Sequence, residues 1–284
     1  MLGRYQSPEG GWGYRETSRP AVEPTVLAGL GMLVTDRDGA ARSIVRRAAG
    51  WLTGLQQPDG GIPLSEMPEA AKWSTPLAMI LWQELGEFDS NRKQAAAWLL
   101  EREGEVFPRG PNSPAGHDTS IQGWPWVPDT HPWLEPTAMA VLALQREGLQ
   151  DHPRVREGLR LIRDRAIPGG GWNYGNSLAF GTPLRPQPGP TGLALLALAG
   201  SDVPADRIAE EAAAYLEGIL PATRSPQALC WGLWGLDAWR QRPADAPLWL
   251  EESFGLVSGR PDAVLQLGYL LMASRAPSLV VESS

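Results

Sequence analysis

Two glutamates in this sequence open matching phrases. Glu135-Pro136-Thr137 precedes Ala-Met-Ala-Val-Leu-Ala-Leu, and Glu23-Pro24-Thr25 precedes Val-Leu-Ala-Gly-Leu-Gly-Met-Leu. A carboxyl group at the edge of an apolar run could act as a general acid, although the raised pKa that comes with lost hydration makes it a weak donor to an alkene. The same group suits the positive end of a helix dipole. Recurrence favours that structural role, since a catalytic acid need occur once. Glu135 is the stronger candidate because His131 and Trp133 stand just ahead of it, with His131 placed to hydrogen-bond near the acid. His117, Asp118, Asp129 and His131 are residue types that bind metals or relay protons. Their spacing matches no ligand motif, so neither a metal nor a cofactor is assigned. Cys230 has no histidine near it in its motif and reads as a small buried core residue.

These residues are positioned by a repeated phrase. Trp73-Ser74-Thr75 opens Pro-Leu-Ala-Met-Ile-Leu-Trp, and Gly189-Pro190-Thr191 opens Gly-Leu-Ala-Leu-Leu-Ala-Leu-Ala. Weaker copies begin at Ser225-Pro226-Gln227-Ala228 and Arg260-Pro261-Asp262-Ala263, making six with the two glutamate phrases. Proline suits a first helical turn, and the runs behind it are apolar on nearly every face. Helices of that kind are buried all round. Between them lie amphipathic stretches at Ala41–Gln56, Asn91–Arg102, Pro153–Arg165 and Ala205–Leu220, with a poorer one at Asp245–Phe254. Each has one apolar stripe at helical spacing, with Ile208, Ala212, Tyr215, Leu216 and Ile219 forming the stripe of the fourth. Glycine turns recur ahead of the apolar helices: Gly10-Gly11-Trp12-Gly13-Tyr14, Gly60-Gly61-Ile62 and Gly169-Gly170-Gly171-Trp172-Asn173-Tyr174. Repeats at such periods mean a solenoid or a closed ring. The expected fold is all-α, an α/α toroid of six inner and about five outer helices in a single domain, 1–284, whose first and last edges meet. Residues 104–132 hold too much proline and glycine for helix and form a long loop, the place for a lid or binding segment.

The bulk numbers narrow the function. A net charge of −7 and no basic stripe argue against nucleic acid. Thirteen tryptophans against four phenylalanines push the aromatic content into the side chain that best lines pockets. One cysteine excludes an internal disulfide, the N-terminus is no signal peptide, and no apolar run spans a bilayer. A cytoplasmic protein is the expectation.

The glutamine-bearing Gly-Gly-Trp turns, as in Gln6-Ser-Pro-Glu-Gly10-Gly11-Trp12, resemble the QW motifs of squalene and oxidosqualene cyclases. The inner-helix openings resemble those of the same cyclases and of protein prenyltransferase β subunits. All are α/α toroids, and the likeness covers the whole chain. Squalene–hopene cyclases carry Asp-x-Asp-Asp-Thr-Ala, whose middle Asp donates the proton. Setting Thr137-Ala138 on that Thr-Ala places Glu135 on the donor, with Trp133 and Pro136 where the flanking aspartates would be. The Asp-Cys-Thr-Ala-Glu of oxidosqualene cyclases also places Glu135 on the acid. Protein prenyltransferases bind zinc through an Asp-x-Cys segment and a histidine. Around Cys230, Ala228 replaces that aspartate and the last repeat has no histidine, so the resemblance brings no zinc. The thioester motif Cys-Gly-Glu-Gln does not match Cys230-Trp-Gly-Leu.

The resemblance therefore implies an isoprenoid-handling toroid with metal-independent, protonation-initiated (class II) terpene cyclase chemistry, an isomerase or lyase. Glu135, Glu23 and His131 are its candidate catalytic residues. Trp73, Trp124, Trp126, Asp129, Trp133, Trp172, Tyr174, Trp231 and Trp234 are candidates to hold the isoprenoid, or another apolar small molecule, and shelter a cation by cation–π attraction. Repeat packing is the competing explanation for these aromatics. The alternative function is a toroid that binds a lipid or a protein without catalysis, because the flanking aspartates and zinc ligands are missing. Peripheral membrane contact and a protein partner stay open. Two glutamates and aromatic clefts also suit a glycosidase, which needs its carboxylates about 5–10 Å apart.

Overall fold

The computed structural model describes residues 2–65, 71–109, 115–179, 181–201 and 207–276. Among them lie eleven α-helices: α1 (Val22–Thr35), α2 (Ala40–Leu55), α3 (Thr75–Leu85), α4 (Asp89–Glu101), α5 (Leu134–Arg146), α6 (Pro153–Asp164), α7 (Pro188–Ala199), α8 (Arg207–Ile219), α9 (Pro226–Ala238), α10 (Ala246–Val257) and α11 (Ala263–Ala273). The six repeated phrases begin the six odd-numbered helices, and the five amphipathic stretches are the even-numbered ones. In α7 every residue from Gly189 to Leu198 is buried. In α6, Val155, Gly158, Leu159, Leu161 and Ile162 are buried while Arg156 and Arg160 are exposed. Ile219 departs from the expected buried stripe: it is exposed, because α8 ends there and a 3-10 turn brings Leu220 inward instead.

The contacts divide the chain into two compact units. One comprises Met1–Glu101, Arg224–Cys230 and Pro247–Ala276; the other comprises Arg102–Thr223 and Trp231–Ala246. In the first unit α1 packs on α2, α3 and α11, so the first and last apolar helices touch. They do so through glycine: a Cβ on Gly31 would lie 2.8 Å from the Gly268 carbonyl oxygen. In the second unit α5 packs on α6 and α7, and α7 on α8. A Cβ on Gly192 of α7 would fall 2.0 Å from the carbonyl oxygen of Trp231 in α9, so these backbones also meet directly.

In four of the six repeats one threonine fixes the turn to its helix. The N–H of Trp12, Ile62, Trp124 and Trp172 donates to Oγ1 of Thr25, Thr75, Thr137 and Thr191, at 2.9, 2.9, 3.0 and 2.9 Å. All four hydroxyls are buried. Gly10, Gly60 and Gly170 have positive φ, and a Cβ on each would strike a backbone carbonyl of the next amphipathic helix, at Arg47, Gln94 and Glu211. Trp124 thus marks a glycine turn, Gly123-Trp124, that the sequence concealed inside the long loop. Among the described residues between Glu101 and Leu134 there is no helix or strand; 110–114 lie outside them. Two short antiparallel strands, β1 (Leu178–Ala179) and β2 (Thr182–Pro183), lengthen the connection from Trp172 to Thr191.

Candidate functional site

Three segments of the second unit meet at the start of α5. Trp133 is its N-cap in extended conformation, and its N–H donates to the Trp124 carbonyl at 3.1 Å. The Leu134 N–H donates to the Tyr174 carbonyl, also at 3.1 Å. The turn at Trp124, the turn at Trp172 and the helix are therefore tied at one point. Glu135 sits there half-buried in the first turn. Its charge reaches Tyr174, whose hydroxyl pKa is raised by burial first and by Glu135 second. The His131 ring lies 4.5 Å from that of Trp133, tilted by 41°. Burial, with Arg165 nearby, pushes His131 below its ordinary value. His131 thus meets the ring of Trp133, and Glu135 acts on Tyr174, a neighbour that nothing in the spacing could suggest.

The other aromatics have varied surroundings. Trp172 is fully buried, and its indole N–H donates to the Ile162 carbonyl at 2.6 Å, just as the Trp12 indole donates to Leu2 at 2.9 Å. Trp124 is buried under the Arg154 guanidinium, 4.2 Å from the ring centre. Trp126 is half-buried, and Asp129 is exposed at φ 59°, a left-handed turn position that aspartate tolerates. Trp231 and Trp234 are buried on α9 with rings edge to face, 5.9 Å apart. His117 is buried and Asp118 makes a turn with Ser120.

Glu23 and Trp73 belong to the first unit. Trp73 is half-buried just ahead of α3. The Tyr14 hydroxyl donates to Glu23 Oε2 at 2.8 Å, and Tyr269 of α11 also hydrogen-bonds Glu23. Burial nevertheless prevails over both phenols, and the Glu23 pKa is raised. Tyr14 is raised in turn by burial and by Glu23. Sequence reasoning missed Tyr14 and Tyr269; the parallel between Trp12-Gly13-Tyr14 and Trp172-Asn173-Tyr174 was the available signal for the first.

The helix pattern gives an all-α protein with the α/α-toroid fold, six apolar and five amphipathic helices alternating among the described residues, and solved structures share that fold. A protein from Actinoplanes matches it with a TM-score of 0.63 and 17% identity, over 96% of this chain and 95% of that one. A variant of the type II terpene cyclase MstE from Scytonema, in complex with merosterolic acid A, matches with a TM-score of 0.63 and 15% identity, over 96% of this chain and 92% of that one. Salmonella alpha-2-macroglobulin matches less well, with a TM-score of 0.52 and 16% identity over 98% of this chain but 17% of that one. No protein-family model and no curated protein sequence matches the chain. No helix among the described residues is long and apolar enough to cross a membrane.

Proposed function

We propose that the protein handles isoprenoids and cyclises one by protonation, with Glu135 as the acid. The supporting observation is the gathering of Glu135, Trp133, His131 and Tyr174 at the N-terminus of α5. Glu135 gives its proton to one carbon of an alkene or to an epoxide oxygen. The cation so formed is attacked by the next double bond, which makes a ring C–C bond and moves the charge along. Loss of a proton from carbon to the His131 imidazole, whose pKa is lowered by desolvation and Arg165, ends the sequence, and His131 passes that proton back to the Glu135 carboxylate. Trp133, Trp124 and Trp126, with Trp172, Tyr174, Trp231 and Trp234, supply apolar surface and cation–π stabilisation. Glu23, whose carboxyl favours the protonated form, is the alternative donor. MstE of Scytonema, also seen with geranylgeranyl dihydroxybenzoate as substrate, lends the substrate class: an apolar prenyl chain. Acid chemistry of this kind draws on no metal. The single cysteine suits a reducing cytoplasm.

A second reading is a toroid that binds such a ligand without turnover. It is favoured by Trp133 and Pro136, which stand where the aspartates flanking the acid of squalene–hopene cyclases would be. Incubation with farnesyl- and geranylgeranyl-bearing substrates in deuterated water separates the two. Cyclisation predicts deuterium in a cyclic product and a loss of about 100-fold or more in Glu135→Gln. Binding without deuterium uptake in either protein selects the second reading. Failure to bind any isoprenoid refutes both.

A further inference from the structure

Among the buried polar atoms of the second unit that have no hydrogen-bond partner among the described residues, three lie on adjoining segments: Nε of Arg165, Nδ1 of His117 and Oγ of Ser177. The residues are 4%, 7% and 4% exposed, so each is more than nine-tenths buried. Local contacts bring them together. The Asp118 N–H donates to Asp164 Oδ2 at 2.9 Å, which holds the neighbouring His117 and Arg165 close. Arg165 Nη1 donates to the Gly175 carbonyl at 3.3 Å, two residues before Ser177. Gly116 packs on Ser177: a Cβ there would lie 2.8 Å from Ser177 Oγ. A Cβ on Gly175 would lie 2.9 Å from Cε3 of Trp133, so the cluster borders the tryptophan that caps α5.

A buried donor left unpaired costs about 1–3 kcal/mol, and a charged one costs more. Three in one place call for a common partner. Arg165 and Arg109 both act on His117 as positive charges, and Arg165 acts on His131. The nearest carboxylate oxygen, Asp164 Oδ2, is 3.7 Å from Arg165 Nε, too long for a hydrogen bond, and it already accepts the Asp118 N–H. Asp118 Oδ1 is taken by Ser120, and Asp118 Oδ2 lies 3.7 Å from Arg160. The atoms left open are an arginine N–H, a serine hydroxyl and an imidazole nitrogen that donates in one tautomer. Their complement is negatively charged and offers more than one oxygen.

We propose that Arg165, His117 and Ser177 form a binding site for an oxyanion, a carboxylate or phosphate group. The site goes beyond the cyclase reading and does not use Glu135. Its occupant is either a free anion or the acidic head of a ligand whose apolar part lies on Trp133. The groups that set the titration of His117 are Arg165, His131, Arg109 and Asp118, and a bound anion opposes the first three.

Calorimetry on the full chain with inorganic phosphate, acetate and farnesyl phosphate tests the proposal, together with an NMR titration of the His117 imidazole. An anion is expected to bind and to raise the His117 pKa from about 4. Arg165→Gln is expected to abolish binding. Because Arg165 is buried and its loss could unfold the chain, Ser177→Ala is the companion variant. It should keep the wild-type circular dichroism and weaken binding about tenfold. Farnesyl phosphate binding at least about tenfold tighter than inorganic phosphate, with the gain lost in Trp133→Ala, identifies the head group of an apolar ligand. Equal binding identifies a free anion. The proposal is overturned if none of the three probes binds at millimolar concentration and the His117 titration does not move, or if Ser177→Ala binds as wild type. Glu135→Gln should retain anion binding, which separates this outcome from failure of the cyclase reading.

Discussion

Replacing Thr191 by valine removes one oxygen and almost no volume. Thr191 Oγ1 accepts the Trp172 N–H at 2.9 Å and donates to the Trp172 carbonyl at 3.3 Å, and both residues are fully buried. Valine leaves the N–H with no acceptor where water does not reach, at a cost of about 1–3 kcal/mol. The carbonyl keeps the Gln187 N–H at 2.8 Å and loses only its longer bond, about 0.5–1.5 kcal/mol. The extra methyl returns up to about 0.8 kcal/mol. The net destabilisation is about 1–4 kcal/mol, which at roughly 2–4 °C per kcal/mol lowers Tm by about 2–16 °C. Urea unfolding of wild type, Thr191→Val and Thr191→Ser measures it, since serine keeps the hydroxyl. Thr191→Ser should be the milder change. If Thr191→Val unfolds within about 0.5 kcal/mol of wild type, or resists urea better than Thr191→Ser, the hydroxyl does not fasten the turn. Thr25→Val, at the matching site under Trp12, should lose a similar amount.

Gly192→Ala places a Cβ 2.0 Å from the Trp231 carbonyl and forces α7 from α9, for a loss of about 3 kcal/mol or more. Gly50→Ala meets nothing within 4 Å in α2 and should gain about 0.5–1 kcal/mol, so the two urea midpoints should move in opposite directions. His117 is lowered from 6.5 to about 4 by burial first and then by Arg165, so it binds fewer protons folded than unfolded. The stability it contributes is complete above its unfolded value of 6.5 and is lost as pH falls through about 4; His117→Gln should flatten the urea midpoint across that window. Glu23 has the opposite sign. Its pKa is raised, so its contribution is complete below its ordinary value of 4.5 and is lost as pH rises through the folded value. Glu23→Gln should therefore gain relative to wild type from acid to alkaline pH, and an unchanged difference between pH 4 and pH 8 would sink the assignment.

The apolar runs behind Pro24, Pro136 and Pro190 had one reading, because a helix with no polar face has to be surrounded. Periodicity placed every outer helix within a few residues, and it failed at Ile219 because a stripe does not tell where a helix stops. Around the site, the nearness of His131, Trp133 and Glu135 was visible because they are neighbours in the chain. Tyr174, Arg165 and Ser177 were not, since they arrive from a different repeat.

Sequence alone determined the alternation of buried and half-buried helices and the glycine turns between them, because each depends on residues within one or two helical turns. Tertiary structure decided which polar groups share an environment. It set Tyr14 and Tyr269 on Glu23, Thr137 on the turn at Trp124, and Arg165 beside His117. Those pairings join residues far apart in the chain, and burial, which shifts their proton affinities, is a property of the packed chain rather than of any segment in it.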